Sequence, residues 1–435
     1  MREGRLSRAR IRATAALGLT VLLGGAMAAA GPAGAAQAAP KTPKAPKAPA
    51  AAADCSAASR IEQKLAGGTT WRMCWHYESK AGLVLDKVSY QPKGEARPIP
   101  VLTTAKLGQI HVPYDDGSVE YDDLTGYGFG EGVQNLSPQE CPGGTLKKVK
   151  LPHAEAVNGL CTTTRARGHA YRAAADEDNG KVWSAQGKDL LVYSVNKVGW
   201  YEYITEWRFS DDGTISPQVG ATGNLSPSDY NSADGRGWPI GKGARDYATS
   251  HSHNVFWRLN FGLDGAPAKV QQFDATTTDR PGRIPTTKTK RTEVGKELAG
   301  NSAAQRWWRL VSTRGKNKDG HPRSYEIVLG HSNKYPGRPY TKNDVYFTQW
   351  NACQQFASHN RSCPGTSVNT WVNGETLKHP IAWVNMGFHH VARDEDQAPM
   401  PLHWQGFQLA PRDVTAMNPL TPAALADQNG QPTTR

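Results

Sequence analysis

The 435-residue sequence predicts an all-β protein of antiparallel strands. Three observations carry that expectation: short runs rich in β-branched and aromatic residues recur, Asp-Gly turns separate them, and 44 Gly, 29 Pro and 13 Trp suit strands and loops better than helices. A chain of this length can bury a sizeable core, as one large domain or a few small ones.

In chain order, residues 1–38 have the three parts of an export signal. Arg2, Arg5, Arg8, Arg10 and Arg12 precede an apolar run over 13–30, and Ala36-Gln37-Ala38 offers a cleavage site. Residues 39–54 repeat Lys, Ala and Pro and are expected to form a stiff linker ahead of a body spanning 55–435. Residues 1–54 carry eight Lys or Arg against Glu3 and Asp54, half of the formal net charge of +12. The rest is spread thinly with no basic stripe among aromatics, so no nucleic-acid partner is expected. No later stretch reaches the roughly 18 apolar residues of a membrane span. The sequence therefore predicts a secreted protein with no membrane span.

The six cysteines fall in sequence-near pairs, Cys55 with Cys74, Cys141 with Cys161 and Cys353 with Cys363, and three local disulfides are the simplest of the fifteen possible pairings. They lack the paired spacing of a zinc site.

In the body, residues 71–77, 82–90 and 99–104 read as strands, and 110–114 runs into an Asp-Asp-Gly turn. Asp122 and Asp123 precede a glycine-rich aromatic segment, where a carboxylate is either a solvated turn residue or a general base approached across the glycines. Residues 151–176 read as irregular. Over 188–223 strand-like residues alternate, and Asp211-Asp212-Gly213 supplies the turn of a central hairpin. From 201 to 209 the odd positions are Tyr, Tyr, Thr, Trp and Phe, so Tyr201 points inward with Tyr203, Trp207 and Phe209. On periodicity alone Tyr201 is a core tyrosine.

Residues 248–265 place His251, His253, Val255, Trp257, Leu259 and Phe261 on one strand face. Two imidazoles on an apolar face point to a metal, and they need a third ligand. His389 and His390 are adjacent, so an extended chain turns only one of them toward that site. Histidines from separate strands, without cysteine, suit copper(II) or zinc. Residues 274–296 read as an exposed loop or hairpin arm, and Asp394, Glu395 and Asp396 as surface charge.

Asp123 in its glycine-rich segment, Tyr201-Glu202-Tyr203 with the following Asp212-Gly213-Thr214-Ile215 and Val219-Gly220-Ala221-Thr222-Gly223, His251-x-His253, His389-His390 before Arg393-Asp394-Glu395-Asp396, and the Cys141/Cys161 pair stand in a collinear order. In that order the chain resembles the catalytic domain of the copper-containing, topaquinone-dependent primary amine oxidases over essentially all of 55–435. The resemblance implies one large antiparallel β-sandwich and a homodimer joined by hairpin arms. It implies Tyr201 as precursor of topaquinone, Asp123 as catalytic base, and copper(II) on His251, His253 and His390, the second histidine of the late pair. The implied reaction converts a primary amine and O2 to aldehyde, ammonia and hydrogen peroxide, with tyramine-like monoamines as substrates.

Several positions depart from the family pattern. Thr125 and Gly126 replace Gly and Glu after the base, while Lys197 and Trp200 replace a Thr and the Asn before the modified tyrosine. A family tyrosine that hydrogen-bonds the quinone aligns near Thr103. Asn260 and Gly262 stand where peripheral metal-binding aspartates often occur, which weighs against a calcium site. Lys197, Trp200 and Thr103 together support an alternative expectation, a copper-binding scaffold or partner subunit that forms no quinone. A secreted β-sandwich binding protein without a metal is the third.

Overall fold

The computed structural model describes residues 55–174, 182–227, 237–302, 305–361 and 363–425. The expected export signal (1–38) and linker (39–54) lie outside the described residues.

Two antiparallel sheets face each other. The nine-stranded sheet runs Arg60–Lys64, Thr70–Glu78, Gly82–Gln91, Ile99–Pro113, His251–Phe261, Pro380–His390, Val345–Gln349 and Leu298–Gly300, and Glu120–Asp122 pairs beside Ile99–Pro113. The ten-stranded sheet runs Thr286–Val294, Lys269–Thr278, Arg306–Lys316, Pro322–Leu329, Met400–Arg412, Ile215–Gly223, Tyr201–Ser210, Val182–Val198, Val157–Ala174 and Thr145–Val149. Between them lies one continuous apolar core. It is stitched across the gap by the Trp71 indole, which donates to the Ser210 carbonyl at 2.9 Å, and by Trp207, set edge-on to Trp257 at 5.0 Å. The predicted β-sandwich is the observed one.

His251–Phe261 is the strand on which the site depends. It lies between Ile99–Pro113 and Pro380–His390, and every residue in it is buried. One face meets the opposing sheet. The other carries Phe256 into a second cluster with Tyr340, Tyr346, Trp371 and Trp383. With both faces covered, polar Ser252, Asn254 and Arg258 are buried along with the apolar residues. Such a strand is held hard: truncating a buried tryptophan like Trp257 to alanine typically costs about 3–5 kcal/mol.

Two expectations about strands need correction. Residues 188–223 do not form a single hairpin, because Gly199-Trp200 breaks the first run into Val182–Val198 and Tyr201–Ser210, giving a three-stranded meander with Ile215–Gly223. Residues 157–174, read as irregular, are a strand paired along its length with Val182–Val198. Its outer half is polar and largely exposed, so no buried face imposes an apolar alternation there. The arm expected over 274–296 is the hairpin Lys269–Thr278 with Thr286–Val294.

All three expected disulfides are present, Cys55–Cys74, Cys141–Cys161 and Cys353–Cys363. No helix among the described residues is long and apolar enough to cross a membrane.

Candidate active site

Tyr201 owes its place to a turn. Val198 pairs with Tyr201 across the two-residue loop Gly199-Trp200. Gly199 has φ +59° while Trp200 stays out of the left-handed region, the pattern of a type II′ hairpin, in which glycine is favoured at the first central position. Tyr201 is thus the first residue of its strand, its ring turned into the sandwich and 5% exposed.

Its hydroxyl lies 2.7 Å from His251 Nε2 and 2.7 Å from His390 Nδ1. Those two histidines are register partners on adjacent central strands, so the ladder itself brings their rings together, 5.0 Å apart. His253, two residues on, shares the face with His251, and its ring centre is 5.1 Å from that of Tyr201. His389 turns the other way, to Asp115 at 2.7 Å, as alternation requires. The structure brings Tyr201, His251, His253 and His390 together and leaves His389 outside.

Two of the three imidazoles are oriented from behind by a hydrogen-bond partner. His390 Nε2 lies 2.9 Å from Asp396 Oδ2, and His253 Nδ1 lies 3.3 Å from the Tyr203 hydroxyl. Phe388 stacks on His253 at 4.5 Å. Asp396, expected at the surface, is only 2% exposed: burial pushes its carboxyl up, but the hydrogen bonds from His390 and Arg393 outweigh that and hold it below the usual carboxylate range.

The donor set fits a copper(II) ion. Burial, with neighbouring imidazoles adding to it, pushes His251 down to about 3 and His253 well below its ordinary value, so both rings are neutral, the form that ligates. The buried Nε2 of His253 has no hydrogen-bond partner, a state that costs about 1–3 kcal/mol and that a metal would relieve. Among the described residues no three His, Cys, Asp or Glu side chains are arranged to hold a metal, and the Tyr201 oxygen stands between His251 Nε2 and His390 Nδ1. The phenol therefore lies where metal and ring would meet.

Across the Tyr201 ring is Asp123, the first residue of the short helix Asp123–Tyr127. Its carboxyl is 3% exposed, and burial pushes its pKa up to about 7, with a hydrogen bond from Tyr203 opposing and the charge of Asp122 adding. Oδ2 has no hydrogen-bond partner. Tyr203 thus sits between the acid and His253. The helix start is pinned by buried Gln109, whose Oε1 accepts from Leu124 N at 3.0 Å and whose Nε2 donates to Thr125 Oγ1 at 2.8 Å. Asp123 and Tyr201 share a cavity of about 110 Å³ lined also by Tyr114, Tyr121 and Trp200. A second cavity of about 220 Å³, lined by His390, Arg393, Asp396, Met400 and His403, reaches Tyr201 as well.

The structure revises two of the departures. Thr103 is exposed on the outer part of its strand and is not the neighbour of Tyr201; that place belongs to Tyr114, which is buried, stacks on His251 at 4.8 Å and lines the Tyr201 cavity. Tyr114 continues the ladder of Ile99–Pro113 in register, directly opposite His251, and sequence spacing alone does not reveal that pairing. Lys197 is exposed, away from the site, whereas Trp200 lines it. Asn260 Oδ1 pairs with His379 Nε2 at 2.8 Å. Tyr114, Gln109 and Asp396 are functional neighbours that sequence reasoning missed, whereas alternation turns Tyr203 inward beside Tyr201. Of the three missed, only Tyr114, in Val112-Pro113-Tyr114 running into a turn, had a local signal.

The family described as copper amine oxidase, enzyme domain, matches residues 60–428. A primary amine oxidase of Arthrobacter sp. (strain P1) is 24% identical over 387 residues, covering 80% of this chain and 58% of that protein. Primary amine oxidase 2 of Arabidopsis thaliana is 24% identical over 390 residues, covering 80% and 57%. The chain thus spans less than two thirds of the relatives it matches. Among solved structures, a copper-containing benzylamine oxidase from Hansenula polymorpha shares the fold with a TM-score of 0.70 at 20% identity, over 82% of this chain and 62% of that one. An Aspergillus nidulans amine oxidase does so with a TM-score of 0.69 at 20% identity, over 89% and 56%.

Proposed function

Because the chain belongs to the copper amine oxidase enzyme-domain family, we propose that it is a secreted oxidase of primary amines, yielding aldehyde, ammonia and hydrogen peroxide. The observation that supports this most is the Tyr201 hydroxyl held between His251 and His390, with a buried carboxylate, Asp123, across the same ring.

In this reading His251, His253 and His390 hold copper(II), which with O2 supplies a topaquinone made from Tyr201, the carbonyl electrophile that ordinary side chains lack. Asp123 meets the substrate at its unpartnered Oδ2 and takes the proton from the carbon bearing the amine, a general-base role typically worth about 10²- to 10⁴-fold. A carboxylate poised near 7 is half-ionised at neutral pH yet basic enough for that transfer. Tyr203 donates to Asp123 and fixes its orientation. Asp396 accepts from His390 and fixes that ring. Peripheral calcium has no part in it, and a homodimer with the Lys269–Thr278/Thr286–Val294 hairpin as an arm completes the proposal.

The quinone-free copper scaffold was supported by Lys197, Trp200 and Thr103. With Tyr114 beside the ring and Lys197 facing away, Trp200 alone still favours it. Phenylhydrazine titration of protein expressed with copper in air, with Tyr201→Phe in parallel, separates the two readings. A coloured adduct near one per chain, absent from the mutant, is expected. Bound copper with no adduct would replace the oxidase by the scaffold.

A further inference from the structure

We infer that Asp122 is a positioning residue for Asp123: its carboxylate, gripped by His111 and His359 on the outer face of the nine-stranded sheet, fixes the neighbouring carboxyl in place and keeps a negative charge beside it. The inference deepens the oxidase reading, in which Asp123 takes the proton, and rests on that reading for its effect on turnover.

Backbone geometry is the first ground. Asp122 ends the strand Glu120–Asp122 and is the N-cap of the helix Asp123–Tyr127. An N-cap aspartate ordinarily turns its carboxylate onto the free amides of the first helical turn. Here it makes no such bond, and Gln109 Oε1 takes the Leu124 amide instead. The Asp122 carboxylate is thereby left for the other side. Asp122 is extended and is the register partner of His111, whose ring meets Tyr340 of the outer cluster edge-on at 5.2 Å. Asp123, one peptide on, faces the Tyr201 cavity. Holding one carboxyl on the outer face therefore sets the backbone from which the other projects inward.

The grip itself is the second ground. His111 is fully buried with Nδ1 3.3 Å from Asp122 Oδ1, and His359 Nδ1 lies 2.7 Å from Oδ2. Ser358 Oγ donates to Oδ1 at 2.9 Å. His111 is set in turn by Glu120 Oε1, 2.7 Å from its Nε2, and by the Tyr340 hydroxyl, 3.1 Å from its Nδ1. Ser358 and His359 belong to the loop closed by Cys353–Cys363, whose Ala357 amide donates to the Gly108 carbonyl at 3.0 Å and whose Ser358 Oγ accepts from Gln109 Nε2 at 3.1 Å. Loop, strand and the helix of the base are one hydrogen-bonded unit.

Charge is the third ground. Burial pushes the Asp122 carboxyl up, but the hydrogen bond and charge of His111, the charge of His359 and the Ser358 hydrogen bond outweigh it and hold it below the usual carboxylate range. Asp122 is therefore ionised where Asp123 titrates, at about 7, and a negative charge beside a buried carboxyl makes that carboxyl harder to ionise. The titratable groups facing the pair are His111, His359, Tyr340 and, beyond His111, Glu120 on the Asp122 side, and Tyr203 and Tyr201 on the Asp123 side.

The test uses the full chain and two readouts. The infrared carbonyl stretch of the protonated Asp123 carboxyl, assigned by its loss in Asp123→Asn, is followed against pH on protein prepared without copper; kcat/KM against pH is followed on the copper-loaded protein with the faster of 2-phenylethylamine and n-butylamine. Asp122→Asn, which keeps the shape and removes the charge, is expected to move both midpoints to lower pH by about 0.3–1 while leaving plateau kcat within about threefold. Asp122→Ala removes the grip, and His359→Ala trims an exposed ring. They are expected to lower plateau kcat by about 10- to 100-fold and about 3- to 10-fold, with KM changed by less than about threefold and copper content and phenylhydrazine adduct unchanged. Wild-type midpoints in Asp122→Asn, or copper and adduct lost together with kcat, overturn the inference. Should Asp122→Ala not fold, the other two variants decide by the same criteria. A phenylhydrazine-silent wild type in which Asp122→Asn still moves the infrared midpoint would overturn the oxidase reading and uphold the tie between the two carboxyls; an adduct-forming protein in which neither midpoint moves would overturn the inference and leave the oxidase standing.

Discussion

The two flanks of the Tyr201 ring are built on different principles. On the histidine flank the donors stand on two adjacent inner strands of the nine-stranded sheet, at register positions fixed by a continuous ladder. On the Asp123 flank the wall comes from a hairpin turn, a short helix and the segment after Pro113. The ladder tolerates no slip, since a one-residue shift would turn every imidazole to the other face. The turn-built wall can exchange residues while its backbone persists. Of the departures, Trp200, Thr125 and Gly126 lie on the turn-built flank, while Asn260 stands at the far end of the histidine strand, and the histidine flank keeps its three rings.

The sharpest way to break this division is to remove one group from each flank. His253→Ala is expected to bring copper below about a tenth of an ion per chain, measured by metal analysis after dialysis, and to abolish the phenylhydrazine adduct. Asp123→Asn is expected to keep copper and adduct and to lose about 10²- to 10⁴-fold in peroxide production from an amine. Loss of copper in Asp123→Asn would show that the flanks are not separable.

A smaller effect tests the support behind the ladder. Asp396→Asn removes the carboxylate that accepts from His390 Nε2, and copper affinity in a chelator competition should fall by about 10- to 100-fold. An unchanged affinity would return Asp396 to the surface-charge role suggested by sequence.

The smallest effect concerns the proton on Asp123. The base works ionised, so kcat/KM should rise with pH through a limb near the value of about 7 to which burial pushes this carboxyl. Tyr203 opposes the shift, so Tyr203→Phe should move the limb upward, read from the pH profile. The sign for stability is the reverse of the usual carboxylate case. A folded-state pKa raised above the unfolded value means a contribution fully present below about 4 and lost as pH rises through about 7, and Asp123→Asn should flatten that part of the unfolding profile. A limb below about 5 in the wild type would remove the assignment of Asp123.

The sequence by itself determined the strands whose faces are buried and the types of residue at the centre, and it offered the simplest pairing of its cysteines, which the structure contains. Period-two alternation turned Tyr201, Tyr203, Trp207 and Phe209 inward, and His251 and His253 onto one face, because a strand allows no other arrangement. It also showed that only one of His389 and His390 could join them. Tertiary structure decided everything that depends on distance across sheets and around turns. That the His251 and His390 rings meet is a fact of register between strands more than a hundred residues apart. That Tyr114 rather than Thr103 reaches the ring depends on the register that sets Tyr114 opposite His251. Asp396 is buried against His390 although its neighbours in sequence are charged, and the alternation that would mark the Val157–Ala174 arm is missing because its outer half is largely exposed among the described residues. Local pattern is written by which face meets water; a site is written by which faces meet each other.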